Sequence, residues 1–439
     1  MALDQTILQS LPQPIAPFAS AAIAASVPYF LFLWEILKLF WWIIPPFILF
    51  SIVKGQYLDF IQGIWADKLE FVTLELKIPR EELKPIKAME NVFSNLFGTR
   101  DSPSGFKDKW IDGKVPVGFS LEIASVDGNP HFYIRVLKGL RKAIESAIYS
   151  QYAGIEICEV PDYAKDVPAD IPNKEWDVWG SDYTLARPDV YPIKTYSQFF
   201  EESQGLEEGE RIDPLSSLIE GMVRLEKGEQ IWMQFMITPV SNDDNNYVDR
   251  GKEEVNKIMK RPGKTVFKPL IQEAFDFAAF GDIPGGPTAA AAETPHLTSG
   301  EKDVLKAIED KVSKCAYSVG IRAVYVAKKD VFSSSSKTIP AIFLAQFATQ
   351  SLNAIKSFGA TSVRAPAFAL FAEQKTYLRK KDMFGNYLKR KPASGSTFIL
   401  NTEEMATLFH FPGILSIPGS IMPRIATKKG IAPLELPTE

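Results

Sequence analysis

The chain has 439 residues, of which 46% are hydrophobic and 23% charged, and its net charge is −4. That length corresponds to about three folding units, and a charge so close to neutral excludes a protein that is basic over its whole surface, leaving only a local patch for nucleic acid. Two cysteines, Cys158 and Cys315, lie in apolar, periodic stretches and read as buried free thiols of a reducing compartment, while three scattered histidines, His131, His296 and His410, give a His/Cys metal site almost no material.

The chain opens on an N-terminal segment, 1–26, without a single Lys or Arg, followed by a strongly apolar one, 27–54. Between Pro17 and Val53 the only charges are Glu35 and Lys38, three residues apart and able to pair on one helix face. A transmembrane helix needs about 20 mainly apolar residues, and residues 28–53 supply them, with Trp34, Trp41 and Trp42 suited to an interfacial belt. Pro45–Pro46 is expected to kink or break the helix, and a hairpin bent there is the alternative to a single pass. A cleaved signal peptide lacks its basic n-region here. Basic residues other than Lys38 follow the span (Lys54, Lys68, Lys77, Arg80), so the C-terminal region is expected in the cytoplasm, on a single-pass protein of the cell membrane.

Residues 70–165 read as the first soluble domain. Val72, Leu74, Leu76 and Ile78 alternate with polar residues as a half-buried strand. Pro85 opens a helix with Ile86, Met89, Phe93 and Leu96 on one face. Phe119, Leu121 and Ile123 make a second strand, Asp127–Gly128 a hairpin turn, and Phe132, Ile134 and Val136 a third strand. A helix through Leu140, Ile144 and Ile148 and a strand through Ile155, Ile157 and Val160 complete a β-α-β-β-α-β order, that of ferredoxin-like folds.

Residues 174–415 read as a stretched second domain of the same kind. Its strands are expected at 176–184, 231–240, 319–326 and 397–400, and its helices after Asp213–Pro214, after Ser299 and over 339–358. An insertion, 241–300, carries a charged helix near 248–259 and the low-complexity run PGGPTAAAAETP. A tail, 416–439, ends the chain. The expected class is therefore α+β: a transmembrane helix followed by two ferredoxin-like domains.

Catalytic motifs are scarce. Gly263–Lys264–Thr265 invites a nucleotide reading, but a P-loop needs glycine where Ile258 stands, and Pro262 removes a backbone N–H. Asp243–Asp244 with their neighbouring asparagines read as a solvated turn, and Glu403–Glu404 as the acidic first turn of a helix capped by Thr402. No G-x-S-x-G or H-E-x-x-H occurs, so neither an enzyme nor a cofactor is expected. One basic cluster stands out. Lys375, Arg379, Lys380, Lys381, Lys389, Arg390 and Lys391 face one acid, Asp382, with Tyr377, Phe384 and Tyr387 interleaved. Such a patch suits a nucleic-acid strand or an anionic membrane surface; its bland reading is a solvated helix, a turn over 382–385 and a strand edge.

The stretch FILNTEEMATLFHFPG, Phe398–Gly413, resembles the segment that precedes the motor domain in conjugation and type IV secretion ATPases of the TraG/HerA-like kind. The runs FVTLELKIPREE, FSLEIASVDGNPHFYIRV and YAGIEICEVPDY resemble a family of uncharacterised membrane proteins of Patescibacteria-type bacteria. The resemblance implies a non-catalytic scaffold subunit of a secretion or conjugation-like machine, with a separate P-loop ATPase as its partner. Phe409, His410, Phe411 and Pro412 are then the candidate docking surface, unless the two Phe rings belong to the core. A membrane-bound nucleic-acid-binding protein using Arg379, Lys380, Lys381, Lys389, Arg390 and Lys391 is the alternative.

Overall fold

The computed structural model describes residue 38 and residues 44–79, 84–101, 103, 105–201, 213–259, 297–363 and 371–412. In chain order the elements begin with α1 (Ile44–Ala66), β1 (Phe71–Lys77), α2 (Ile86–Leu96), α3 (Phe106–Trp110), β2 (Phe119–Val126) and β3 (Asn129–Leu137). There follow α4 (Arg141–Tyr149), β4 (Glu156–Val160), β5 (Trp176–Leu185), α5 (Tyr196–Glu201), α6 (Ser216–Val223) and β6 (Glu229–Val240). Next come α7 (Asn242–Asn245), α8 (Tyr247–Ile258), α9 (Ser299–Ser313), β7 (Ala316–Lys328) and α10 (Ile339–Ala345). The last are β8 (Ile355–Ser357), α11 (Ala372–Leu388), β9 (Phe398–Asn401) and α12 (Thr402–Leu408). Two compact units result, one from residues 1–69 and 103–115, the other from 70–102 and 116–439.

The first unit contains α1 and α3. Pro45 and Pro46 fall in the first turn of α1, where proline is tolerated because no intrahelical N–H bond is due. Among the described residues no helix is long and apolar enough to cross a membrane. Of the expected 27–54 segment, residues 27–37 and 39–43 lie outside the described residues, as do the N-terminal segment 1–26 and the tail 416–439.

The second unit is built on one antiparallel sheet in the order β4-β1-β3-β2-β6-β7-β5-β8, with β9 also on β7. Alternation in β1, β2 and β3 puts Leu74, Leu76, Leu121, Ile123, Phe132 and Ile134 on one face, where they meet Phe93 of α2 and Ile144 of α4 in the main core. The Asp127–Gly128 turn joins β2 to β3 with φ of 52° and 81°, the left-handed pair that a tight hairpin needs and that glycine adopts without strain. The same face continues over β6 and β7 through Met233, Phe235, Ile321 and Ala323, covered by α6, α10 and α12. The second face is covered by α11 and the 163–171 segment, with Trp232, Val324, Val326, Met383, Phe384 and Tyr387 in a second core. The seam between the halves is the β2–β6 ladder, Phe119↔Ile237 through Val126↔Gln230.

Several expectations are corrected. The stretch 339–358 is not one helix: α10 stops at Ala345 and Ile355–Ser357 is the edge strand on β5. Between them Asn353, 1% exposed, donates its side-chain amide to the carbonyls of Arg187, Pro188 and Tyr191 and holds the chain in a turn ahead of β8. The strand expected at 397–400 forms as β9, but it pairs with the start of β7, while β8 takes the outer place. The turn expected at 382–385 is helix, because Met383, Phe384 and Tyr387 share the buried face of α11. The turn at 243–246 is the short helix α7 followed by Asn246 at φ 51°. The cap before α9 is Thr298, in a capping box with Glu301, and that before α12 is Asn401, in a capping box with Glu404. Both cysteines are free thiols, half-buried rather than buried. Gly263–Lys264–Thr265 lies outside the described residues.

Because the two halves share one ladder, Phe235→Ala at the seam, which empties a fully buried site at a cost of about 3–5 kcal/mol, should speed amide exchange in β1 and β5 together. Exchange rising in one half alone would show that the halves open separately.

Candidate functional site

The strand registers align polar residues into one row across the second face of the sheet. Cys158 of β4 lies opposite Glu75 of β1, and Glu75 opposite Tyr133 of β3. Tyr133 faces Glu122 of β2, Glu122 faces Gln234 of β6, Gln234 faces Arg322 of β7, and Arg322 faces Asp182 of β5. Side chains on neighbouring strands in register point to the same face, so these residues are brought together by pairing alone. Glu122, Gln234 and Arg322 are all fully buried.

Arg390 reaches the centre of the row from just beyond α11. Its residue takes φ 51°, a left-handed conformation that strains a side-chain-bearing residue by about 1–3 kcal/mol. The guanidinium donates from Nε and Nη2 to the two oxygens of Glu122, at 3.0 and 3.1 Å, and from Nη1 and Nη2 to those of Asp162, at 2.5 and 2.7 Å. Two bidentate pairs on one guanidinium are strong, directional contacts, and they hold the strained residue. Glu122 also accepts from Tyr163 at 2.6 Å, Ser120 at 2.7 Å and Gln234 at 3.0 Å. Because the Tyr163 proton is committed to Glu122, Tyr387, whose hydroxyl is 2.5 Å away, donates to Tyr163.

Burial by itself would raise the Glu122 carboxyl, but the Arg390 charge and the hydrogen bonds from Arg390, Tyr163 and Ser120 outweigh it and hold the group below its ordinary 4.5. Burial would likewise raise Asp162, and its bonds to Arg390 hold it below 3.8. Burial, followed by the nearby Glu122 charge, pushes the Tyr163 and Tyr387 hydroxyls well above the usual phenol range. Arg322 donates to Asp182 at 2.8 Å and to the carbonyl of Lys391 at 2.9 Å. Glu122 and Asp162, both held low, stay ionised and accept hydrogen bonds rather than exchange protons; the arrangement fixes strands and α11 in place.

The basic cluster is therefore divided by the fold. Arg390 faces inward. Lys380 is bound to both oxygens of Asp177, at 2.6 and 2.7 Å, and Arg379 donates to the carbonyl of Ser362. Lys381, Lys389 and Lys391 remain exposed, as does Lys375. Lys380 and Lys381 line an open groove of about 840 Å³ beside Lys174 and Lys329, but Asp170, Asp177 and Glu373 line it too, and neither sign prevails. Among the described residues no group of three His, Cys, Asp or Glu could hold a metal ion.

Of the expected docking residues, Phe409 and His410 are 1% exposed and Phe411 8%. The Phe409 ring meets Phe132 and Phe235 edge-on, and the Phe411 ring meets Phe132 and Tyr152. His410 lies 2.9 Å from the Ala406 carbonyl through Nδ1 and 2.9 Å from Asp213 through Nε2. Pro412 borders a small crevice with Tyr152 and Phe411. The two rings are core residues, and an exposed aromatic anchor does not arise at 409–412.

Sequence reasoning missed Glu122, Gln234, Arg322, Asp182 and Asp162. Alternation in FSLEIASV assigns Glu122 to solvent. The usable signal was in β6 and β7: Gln234 and Arg322 each interrupt a run otherwise apolar on both faces, and a charge in a doubly buried strand needs a partner.

A family model described as a domain of unknown function (DUF8128) matches residues 119–414. The match runs from the first residue of β2 past the end of α12 and so takes in Glu122, Asp162 and Arg390. No curated protein matches the chain.

Stability should follow the Glu122–Arg390–Asp162 cluster. Since both carboxyls are held low in the fold, their contribution is complete above the ordinary carboxylate range and is lost as pH falls through their folded values, below 4.5 and 3.8. Glu122→Gln should lower unfolding stability at neutral pH by roughly 1–3 kcal/mol and flatten its decline in acid, read by urea unfolding across that range. An unchanged acid slope would show that Glu122 is not the titrating group.

Proposed function

The chain belongs to that family of unknown function, and we propose that it is a non-catalytic, membrane-anchored scaffold subunit of a type IV secretion or conjugation-like machine, holding a separate ATPase or its cargo at the membrane. The observation that carries the anchor is the first half of α1. Phe47, Ile48, Leu49, Phe50, Ile52 and Val53 are all more than half exposed, Phe47 at 71%. Contiguous exposed apolar surface of this kind marks a contact with protein or membrane, and transfer from water is worth about 25 cal/mol for each Å². The apolar sequence ahead of it, from Val27, supports a lipid partner over a protein one.

The scaffold reading has two supports. One is the connectivity of the sheet. Outward from the seam the first four strands run β2-β3-β1-β4 and the next four β6-β7-β5-β8, the same order, which favours two ferredoxin-like halves joined edge to edge, the second with an insertion. The other is that the buried charges of the second face are spent on one another. A partner ATPase rests on the resemblance of residues 398–413 to pre-motor segments, and since 409–411 are core, such a partner would bind elsewhere on this chain. The rival, nucleic-acid binding, is favoured only by the exposed Lys375, Lys381, Lys389 and Lys391, and would appear as affinity that falls steeply with salt.

The full chain should sediment with membranes and resist alkaline extraction, and removal of residues 1–66 should release it. In a Cys158→Ser, Cys315→Ser background, an impermeant thiol reagent outside intact cells should label Gln5→Cys and not Gly205→Cys. A soluble full chain would end the anchor reading, and labelling only at 205 would reverse the orientation.

The second part of the proposal predicts that a P-loop ATPase co-purifies with the tagged chain from detergent-solubilised membranes. Absence of any nucleotide hydrolase from that complex would end the scaffold reading while leaving the anchor intact.

A further inference from the structure

We propose that residues 105–114 form a second membrane-contacting element, an aromatic foot in the headgroup layer beside α1; the inference rests on the membrane reading above. The segment lies in the connection from α2 to β2 and carries the single turn α3. Phe106 is 74% exposed and Ile111 61%. The Phe106 ring stacks on Trp110 with centroids 6.0 Å apart, so two aromatic rings form one plate rather than two scattered side chains. Lys107 and Lys109 flank it and are exposed.

This segment is fastened to α1 along two turns, from Lys54 to Ile61. The Tyr57 hydroxyl donates to the Trp110 carbonyl at 3.0 Å. The Lys54 ammonium sits 5.0 Å from the centre of the Trp110 ring. Gly113, at φ 66°, approaches α1 so closely that a Cβ there would lie 2.6 Å from the Ile61 backbone. Lys54 is the first charge after the apolar run that ends at Val53. From Val53 to Tyr57 is about 6 Å along a helix rising 1.5 Å per residue, and the polar layer on each side of a bilayer is about 5–8 Å thick. Tyr57, Trp110 and Phe106 are thus at the depth where amphipathic aromatic rings gather, and Lys107 and Lys109 can extend their ammonium groups to phosphates while their stems lie along the plate. A bilayer fits this surface better than a protein does, because the plate adjoins the exposed apolar side chains of α1, which continue through Phe60 and Ile64, and sets lysines beside them where the uncharged run ends.

The test uses the full chain in lipid vesicles, free of its native cysteines, with an environment-sensitive fluorophore on Phe106→Cys or on Phe50→Cys. Nitroxide lipids carry the quencher either near the headgroup or near the chain ends. The label at 106 should shift to the blue and be quenched more by the shallow nitroxide, and the label at 50 should be quenched and take a larger share of its quenching from the deep one than the label at 106 does. Adding Gly113→Val should remove quenching at 106 and leave that at 50 unchanged. Quenching at 50 with none at 106 would overturn the foot and leave the membrane reading standing. A blue-shifted label at 106 that no lipid quenches would mean that protein covers the plate, and would also overturn it. Quenching at neither position would overturn the membrane reading and the foot with it.

Discussion

A guanidinium buried between two carboxylates is the interaction from which the rest of the large unit can be understood. Arg390 is 6% exposed by its side chain, Glu122 not exposed at all, and Asp162 13%. Separately each would be costly to bury, by several kcal/mol per ion even after relaxation. Together they satisfy one another, and the five donors around Glu122 leave that carboxylate no need of water. The arrangement demands three things at once: β2 in register, the 160–171 segment folded onto the sheet, and the end of α11 turned inward through a left-handed residue. Each is a different part of the chain, so the cluster ties together pieces separated by up to 268 positions.

The same logic extends along the row. A one-residue slip in any ladder would carry its polar member to the opposite, apolar face. Gln234 bound to Glu122 and Arg322 bound to Asp182 therefore fix the β2–β6 and β7–β5 pairings more sharply than apolar packing could, since apolar side chains of similar size tolerate exchange. The seam is the place where this matters most, because β2 and β6 belong to different halves and no short turn sets their register. On the other face the aromatic contacts of Phe409 and Phe411 with Phe132, Phe235 and Tyr152 close the main core across the same seam.

Much of the fold was legible because it depends on local pattern. Alternation located β1, β2 and β3, the Asp127–Gly128 pair located the hairpin, and long apolar runs located β6 and β7. What escaped depends on distant partners. Nothing near Asn353 announces that its amide will bind three carbonyls from residues 187–191 and hold a turn ahead of β8. Nothing near Arg390 distinguishes it from Lys389 and Lys391, which stay in solvent; the difference is made by Glu122 and Asp162, more than 220 positions away. The same fact explains the site. A run of cations reads as a surface for polyanions, and here the residue at its centre has its anions inside the protein. The Phe409–Pro412 run, read as either anchor or core, proved to be core, for a reason that lies in Phe132 and Tyr152 rather than in the run.

Joined this way, distant parts of the large unit are held in one arrangement by buried ion pairs and hydrogen bonds. The central claim is that Arg390 and Glu122 stabilise the fold through each other. A double-mutant cycle with Glu122→Ala, Arg390→Ala and the pair measures this directly by urea unfolding. Each single change should be strongly destabilising, by about 3–5 kcal/mol, because it strands the remaining charge, and the double variant should be much less so than their sum, with a coupling of about 1–3 kcal/mol. Additive losses would contradict the account, for they would mean that the two residues act through separate contacts.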